Sequence, residues 1–257
     1  MIKIKNAIYN TVKGVFFDYG GVLEDLSFSD STFLKGADIL RDILLKKGVA
    51  LTASQLTAAL TSGQEKYNNW YKKNNYRELP NEKMWSSFFL EEICKDKTKK
   101  AIVEEMSEEL SSIYEFYLFT RRPARDMWMV LKTLFYSGYT LALISNTMSR
   151  TLIPERLKKF MIDEYFSAVV LSADIGIRKP RKEIFDAALK CTGLKAEDCI
   201  YVGDTLSRDV EGSRNAGFRT SVLIESDLTA DKDRDYTGTV KPDNKFNSFS
   251  ELFQILK

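Results

Sequence analysis

Residues 13–21 read KGVFFDYGG. A short run of apolar, aromatic and β-branched residues closed by glycines is the pattern of a buried strand. Asp18 stands at its end, where Gly20 and Gly21 turn the chain. Downstream the pattern changes. From about Asp30 to Phe119 apolar residues recur every three or four positions, and no strand is expected. Thr32–Lys47 carries Phe33, Leu34, Ala37, Leu40, Ile43, Leu44 and Leu45 in helical spacing. Thr52 is placed to cap a helix running through Leu56, Leu60 and Tyr67, and Asn81–Ile93 and Thr98–Tyr117 continue the amphipathic pattern. After Pro123 a helix presents Met127, Val130, Leu131 and Leu134 on one face and ends at Gly138. Strands and helices then alternate. Strands are expected at TLALIS (140–145), CIYVGD (199–204) and TSVLIE (220–225), and a strand, or a strand plus a loop, at FSAVVLSAD (166–174). Helices are expected around Arg150–Ile162, Lys182–Cys191, Arg208–Asn215 and Ser250–Leu256, with 226–247 as a loop. This alternation predicts an α/β fold, a Rossmann-like core with a parallel sheet and helices on both faces. The helical block interrupts it as an inserted domain. The expected division is 1–25 with 122–257 for the core and 26–121 for the insert.

The composition of the 257 residues narrows the chemistry. Lys and Arg number 38 against 36 Asp and Glu, a net charge of +2, so nothing drives the chain toward nucleic acid or an acidic membrane. There is no histidine. Ser-His-Asp and Cys-His catalysis and histidine-ligated zinc or haem are thereby excluded. Cys94, Cys191 and Cys199 form no CxxC pair and read as reduced, buried thiols. No apolar stretch approaches the roughly 20 residues that span a bilayer. The first ten residues lack the apolar run of a signal peptide, so a cytoplasmic location is expected.

Three strand ends carry polar residues: Asp18, Ser145 and Asp204. Ligands of open parallel sheets bind outside the carboxyl ends of the strands. Two converging carboxylates repel unless a cation joins them, and Mg²⁺ suits one or two carboxylates with water and phosphate oxygens. Lys179, in GIRKP, and the Ser145 hydroxyl suit an anionic phosphoryl group. Without histidine, an aspartate backed by a metal is the nucleophile to expect.

FFDYGGVL, LISNT, GIRKP and VGDTLSRD stand in the order and context of the four motifs of the haloacid dehalogenase-like hydrolases, which this chain resembles over nearly its whole length. The insert resembles that family's helical cap. The resemblance implies that Asp18 is the nucleophile, forming an aspartyl-phosphate. It implies that Ser145, with Asn146 beside it, binds the phosphoryl group and that Lys179 neutralises it. Asp18, the Gly20 carbonyl and Asp204 would hold Mg²⁺, with Asp209 in a supporting position behind them. It also implies a small phosphorylated substrate and a cap that opens and closes on hinges near 24–30 and 118–124. The sequence leaves the substrate and the oligomeric state open.

One departure matters. Phosphatases of this family usually carry a second aspartate two residues after the nucleophile, as general acid. Here that position is Gly20. General acid–base groups contribute about 10²–10⁴-fold in rate. Three readings therefore stand: a phosphatase that finds its proton elsewhere or prefers good leaving groups, a weakly active or non-catalytic relative that binds a phospho-ligand or protein, and a haloacid dehalogenase. The second aspartate is absent from dehalogenases too, but VGDTLSRD favours metal and phosphate. Arg178, Arg181 and Lys182 form a short basic run, better read as a solvated face than as a nucleic-acid site. Tyr67, Trp70, Tyr71, Tyr76, Trp85, Phe88 and Phe89 of the insert read mainly as packing, with one or two free to shape a pocket.

Overall fold

The strand at 14–17 lies at the centre of the main sheet. In the computed structural model, which describes residues 12–256, six parallel strands run in the order β5-β4-β1-β6-β7-β8. These are β1 (Gly14–Phe17), β4 (Thr140–Ser145), β5 (Phe166–Leu171), β6 (Cys199–Gly203), β7 (Thr220–Ile224) and β8 (Asn244–Phe246). The N-terminal segment read for a signal peptide lies outside the described residues.

Alternation sorts the strand side chains onto two faces. Val15, Phe17, Leu141, Leu143, Ile200 and Val202 join one buried cluster with Met127, Val130 and Leu131 of the helix Met127–Tyr136. Phe16, Ala142, Ile144 and Tyr201 join a second with Ile184, Phe185 and Ala188 of the helix Lys182–Thr192. Burial on both faces explains why these strands read as continuous apolar runs.

β2 (Glu24–Phe28) and β3 (Phe119–Pro123) pair antiparallel as a separate ribbon. Between them stand α1 (Asp30–Lys46), α2 (Ala53–Lys73), α3 (Asn81–Met84), α4 (Lys97–Glu105) and α5 (Ser107–Leu118). They enclose their own core of Leu40, Leu44, Leu56, Leu60, Trp85, Phe89 and Leu110. Thr52 caps α2 with Gln55 in a reciprocal capping box. The ribbon is pinned at Glu24, which is fully buried and accepts from Arg121 of β3 at 2.8 Å and from Arg156.

Several local expectations are corrected. The ribbon strands EDLSF and FTRRP are too polar to read as strands, and β3 begins at Phe119, at the edge of the block read as strand-free. The helix expected over Thr98–Tyr117 is two, α4 and α5, broken at Met106. The helix expected over Asn81–Ile93 passes from α3 into a π turn at Trp85–Phe89. The loop expected at 226–247 contains the helix Thr229–Lys232 and strand β8. Cys94 and Cys199 are buried as expected, but Cys191 is exposed.

Candidate active site

The chain leaves β1 for β4 and β5 on one side, then returns to β6 on the other. β1 is thus a topological switch point, where a ligand crevice forms. Register does the rest. Phe17 pairs with both Leu143 and Val202, and the Asp18 amide donates to the Val202 carbonyl at 2.8 Å. Asp18, Ser145 and Asp204 therefore emerge together.

Asp18 is buried. Its Oδ1 accepts from the Tyr19 amide at 2.7 Å and meets Lys179 Nζ at 2.8 Å. Lys179, also buried, donates to Asp209 Oδ1 at 2.6 Å and to the Tyr201 hydroxyl at 3.0 Å. Asp209 further accepts from the Thr205 amide at 3.1 Å and from the Thr205 hydroxyl. The two carboxylates diverge in consequence. Burial pushes the Asp18 carboxyl above its ordinary value, and Lys179 only partly opposes it. For Asp209 burial is outweighed by Lys179, Arg208 and the Thr205 hydrogen bond, which hold it at about 2. Asp209 thus anchors Lys179 from behind.

Asn146 lies beside Ser145 on the same cavity wall. Its side chain is spent on the Lys179 main chain: it accepts from the Lys179 amide at 2.7 Å and donates to the Lys179 carbonyl at 3.1 Å. Asn146 therefore holds the lysine in place. Ser145 lines the cavity next to it.

Asp204 is fully buried. Its Oδ2 accepts from Ser226 at 2.6 Å and from Lys232 at 2.5 Å, while its Oδ1 is buried without a partner among the described residues. Carboxylate oxygens of Asp18, Asp204 and Asp209 lie within 4.8 Å of one another. An orphaned carboxylate oxygen among hard oxygen donors fits Mg²⁺. Gly21, at φ +95°, is required here, because a Cβ would collide with the Asp204 carboxylate. Asp18, the Gly20 carbonyl and Asp204 are the groups that would hold the ion.

Asp18, Gly20, Ser145, Asn146 and Lys179 face a cavity of about 570 Å³ between the carboxyl ends of the strands and the helical insert. From the insert Tyr67, Tyr71 and Tyr76 line it, whereas Trp85 and Phe89 pack inside the helical core. Arg208 also lines it, and its Nη2 is buried without a hydrogen-bond partner among the described residues.

Three important residues were missed by sequence reasoning. Glu115 of α5 accepts from the Thr147 hydroxyl at 2.5 Å and from the Met148 and Ser149 amides at 2.8 and 2.9 Å, bracing the loop after β4 from the insert. Glu78 accepts from Ser172 at 2.7 Å and from Arg178. Lys232 meets Asp204. All these partners are remote in sequence, so no local motif marks them. The basic run is consumed by ion pairs: Arg178 with Glu78, Arg181 with Glu183 and Lys182 with Asp186. Among the described residues no helix is long and apolar enough to cross a membrane.

Comparison with known proteins gives the family. A model of the haloacid dehalogenase-like hydrolase family matches residues 52–223, and the chain belongs to that family. The matched span carries Ser145, Lys179 and Asp204, while Asp18 precedes it. The chain is 32% identical over 134 residues to pyrophosphatase PpaX of Halalkalibacterium halodurans, covering 52% of this chain and 60% of that protein. It is 34% identical over 106 residues to glyceraldehyde 3-phosphate phosphatase of Methanocaldococcus jannaschii, covering 40% and 43%. The chain thus spans about half the length of these curated relatives. A 2-haloacid dehalogenase structure from Pseudomonas syringae pv. Tomato shares the fold, with TM-score 0.65 and 17% identity over 95% of this chain and 97% of that one.

Proposed function

We propose that the protein is a Mg²⁺-dependent phosphohydrolase of small phosphorylated metabolites that passes the phosphoryl group through Asp18. The observation that carries this reading is the meeting of Asp18, Ser145 and Lys179 on one cavity, with the buried Asp204 carboxylate close to Asp18 and its Oδ1 unpartnered among the described residues. The phosphatase names of the curated relatives support it.

In this mechanism Asp18 attacks phosphorus through Oδ2, the oxygen left by the contacts of Oδ1 with Tyr19 and Lys179. The bond to the leaving oxygen breaks, and Asp18 carries the phosphoryl group until water attacks phosphorus and releases phosphate. Lys179 and the Ser145 hydroxyl stabilise charge on the phosphoryl oxygens, a task of positioning and electrostatics. Bound Mg²⁺ supplies neutralising charge beside the nucleophile, which burial otherwise disfavours as an anion. Arg208 offers its Nη2, which has no hydrogen-bond partner among the described residues, to a further anionic group of the substrate. With Gly20 at the position of the second aspartate, aryl, acyl and phosphoanhydride leaving groups are favoured over alkyl alcohols. The ribbon at 24–28 and 119–123 holds the proposed hinges of the cap, residues 26–121.

The test is turnover of an aryl and an alkyl phosphate with Mg²⁺ by wild type, Asp18→Asn and Gly20→Asp. Wild type should cleave the aryl ester and Asp18→Asn neither. Gly20→Asp gains alkyl activity only if Leu26 shifts, since its Cδ1 lies 2.9 Å from the new Cβ. No Mg²⁺-dependent cleavage by wild type would overturn the reading. Chloride release from a 2-haloacid in EDTA would replace it with the dehalogenase reading, and ligand-induced stabilisation without turnover with the non-catalytic one.

A further inference from the structure

The carboxylate and carbonyl assigned above to the metal already have a cation on them. Lys232 Nζ donates to Asp204 Oδ2 at 2.5 Å and to the Gly20 carbonyl at 3.1 Å. We propose that Lys232 is a built-in counter-ion of the metal-free site, and that Mg²⁺ binds at full strength only when the Lys232 ammonium leaves Gly20 and Asp204. This rests on the metal reading of the site given above.

The contact is built into the fold. Lys232 ends the short helix Thr229–Lys232, which follows the C-terminal end of β7. The Thr229 hydroxyl donates to the Asp204 carbonyl at 2.7 Å, and Ser226 donates to Asp204 Oδ2 at 2.6 Å and accepts from the Leu228 amide at 3.3 Å. One residue beyond Lys232, Asp233 accepts from the Leu206 and Ser207 amides at 2.7 and 3.0 Å. The segment is thus tied on both sides of Lys232 to the strand end that carries Asp204. The Lys232 side chain is nevertheless 19% exposed, so the ammonium has a route to solvent, unlike Lys179 at 1%.

Electrostatics makes the two cations alternatives. An ammonium and a divalent ion sharing a buried carboxylate and one carbonyl repel at close range. A ligand that binds only a minor state is weakened by the fraction of time that state is populated, so a contact formed nine times in ten costs about tenfold in apparent affinity. Without metal, Lys232 offsets part of the mutual repulsion of three buried aspartates.

The test is calorimetric titration of Mg²⁺ into metal-free wild type, Lys232→Met, Lys232→Gln and the surface control Lys66→Met, with melting temperatures in EDTA. The proposal expects both Lys232 variants to bind Mg²⁺ about tenfold tighter or more and to melt lower in EDTA, and expects Lys66→Met to match wild type. Equal or weaker Mg²⁺ binding by the Lys232 variants overturns the displacement while leaving the metal reading intact. Absence of Mg²⁺ binding to every protein overturns both.

Discussion

Two lysines stand at the same edge of the sheet, and they do different work. Lys179 is sealed between Asp18 and Asp209, with Tyr201 and Asn146 fixing it from the side and behind. Lys232 reaches in from a peripheral segment to Asp204 and Gly20 and remains partly open to water. A cation held by buried partners, with almost no exposure to water, is permanent equipment. A cation reaching in from outside can leave. The site is therefore asymmetric: the nucleophile side is fixed, and the metal side is exchangeable.

The comparison breaks first at Asp18. Asp18→Asn should reduce turnover by at least roughly 10³-fold, as expected for a lost nucleophile. The same substitution should raise the melting temperature in EDTA, because burial disfavours the Asp18 charge. Lys179→Met comes next. It strands two buried carboxylates and should cost about 3–5 kcal/mol in a denaturant titration, along with most activity. Asp209→Asn should cost about 2 kcal/mol at neutral pH, because its carboxyl is held at about 2, below its ordinary value. That contribution is present above about pH 4 and is lost as pH falls toward 2, so the variant and wild type should converge in acid. Lys232→Met has the smallest expected effect on stability, about 1–2 kcal/mol in EDTA, the size that a tenfold gain in Mg²⁺ affinity implies. Turnover at saturating Mg²⁺ should stay near wild type.

The same contrast marks what the sequence makes legible. The β1, β4 and β6 strands are buried on both faces, so their residues are largely apolar and lead into the polar groups of the site. Asp18, Ser145, Lys179 and Asp204 were visible there because each follows such a run or precedes a helix in a recognisable order. The ribbon escaped notice because a two-stranded, partly exposed pair needs no apolar alternation, and EDLSF and FTRRP show none. β8 is three residues long. Lys232 lies in a polar stretch whose structure is set by side-chain bonds to Asp204 and to the 206–207 amides. Glu115 and Glu78 act on loops far away in sequence, so only the packed insert reveals them. Asn146 was visible as a polar residue after a strand, but not that both ends of its amide are turned to the Lys179 main chain.

The central claim is that Asp18 carries the phosphoryl group. The most direct measurement is mass spectrometry of the peptide containing Asp18 after acid quench of the enzyme during Mg²⁺-dependent turnover of an aryl phosphate. The account predicts a peptide heavier by one phosphoryl group, absent from Asp18→Asn and lost on incubation at neutral pH. Turnover with an unmodified Asp18 peptide, or the same modification in Asp18→Asn, would contradict it.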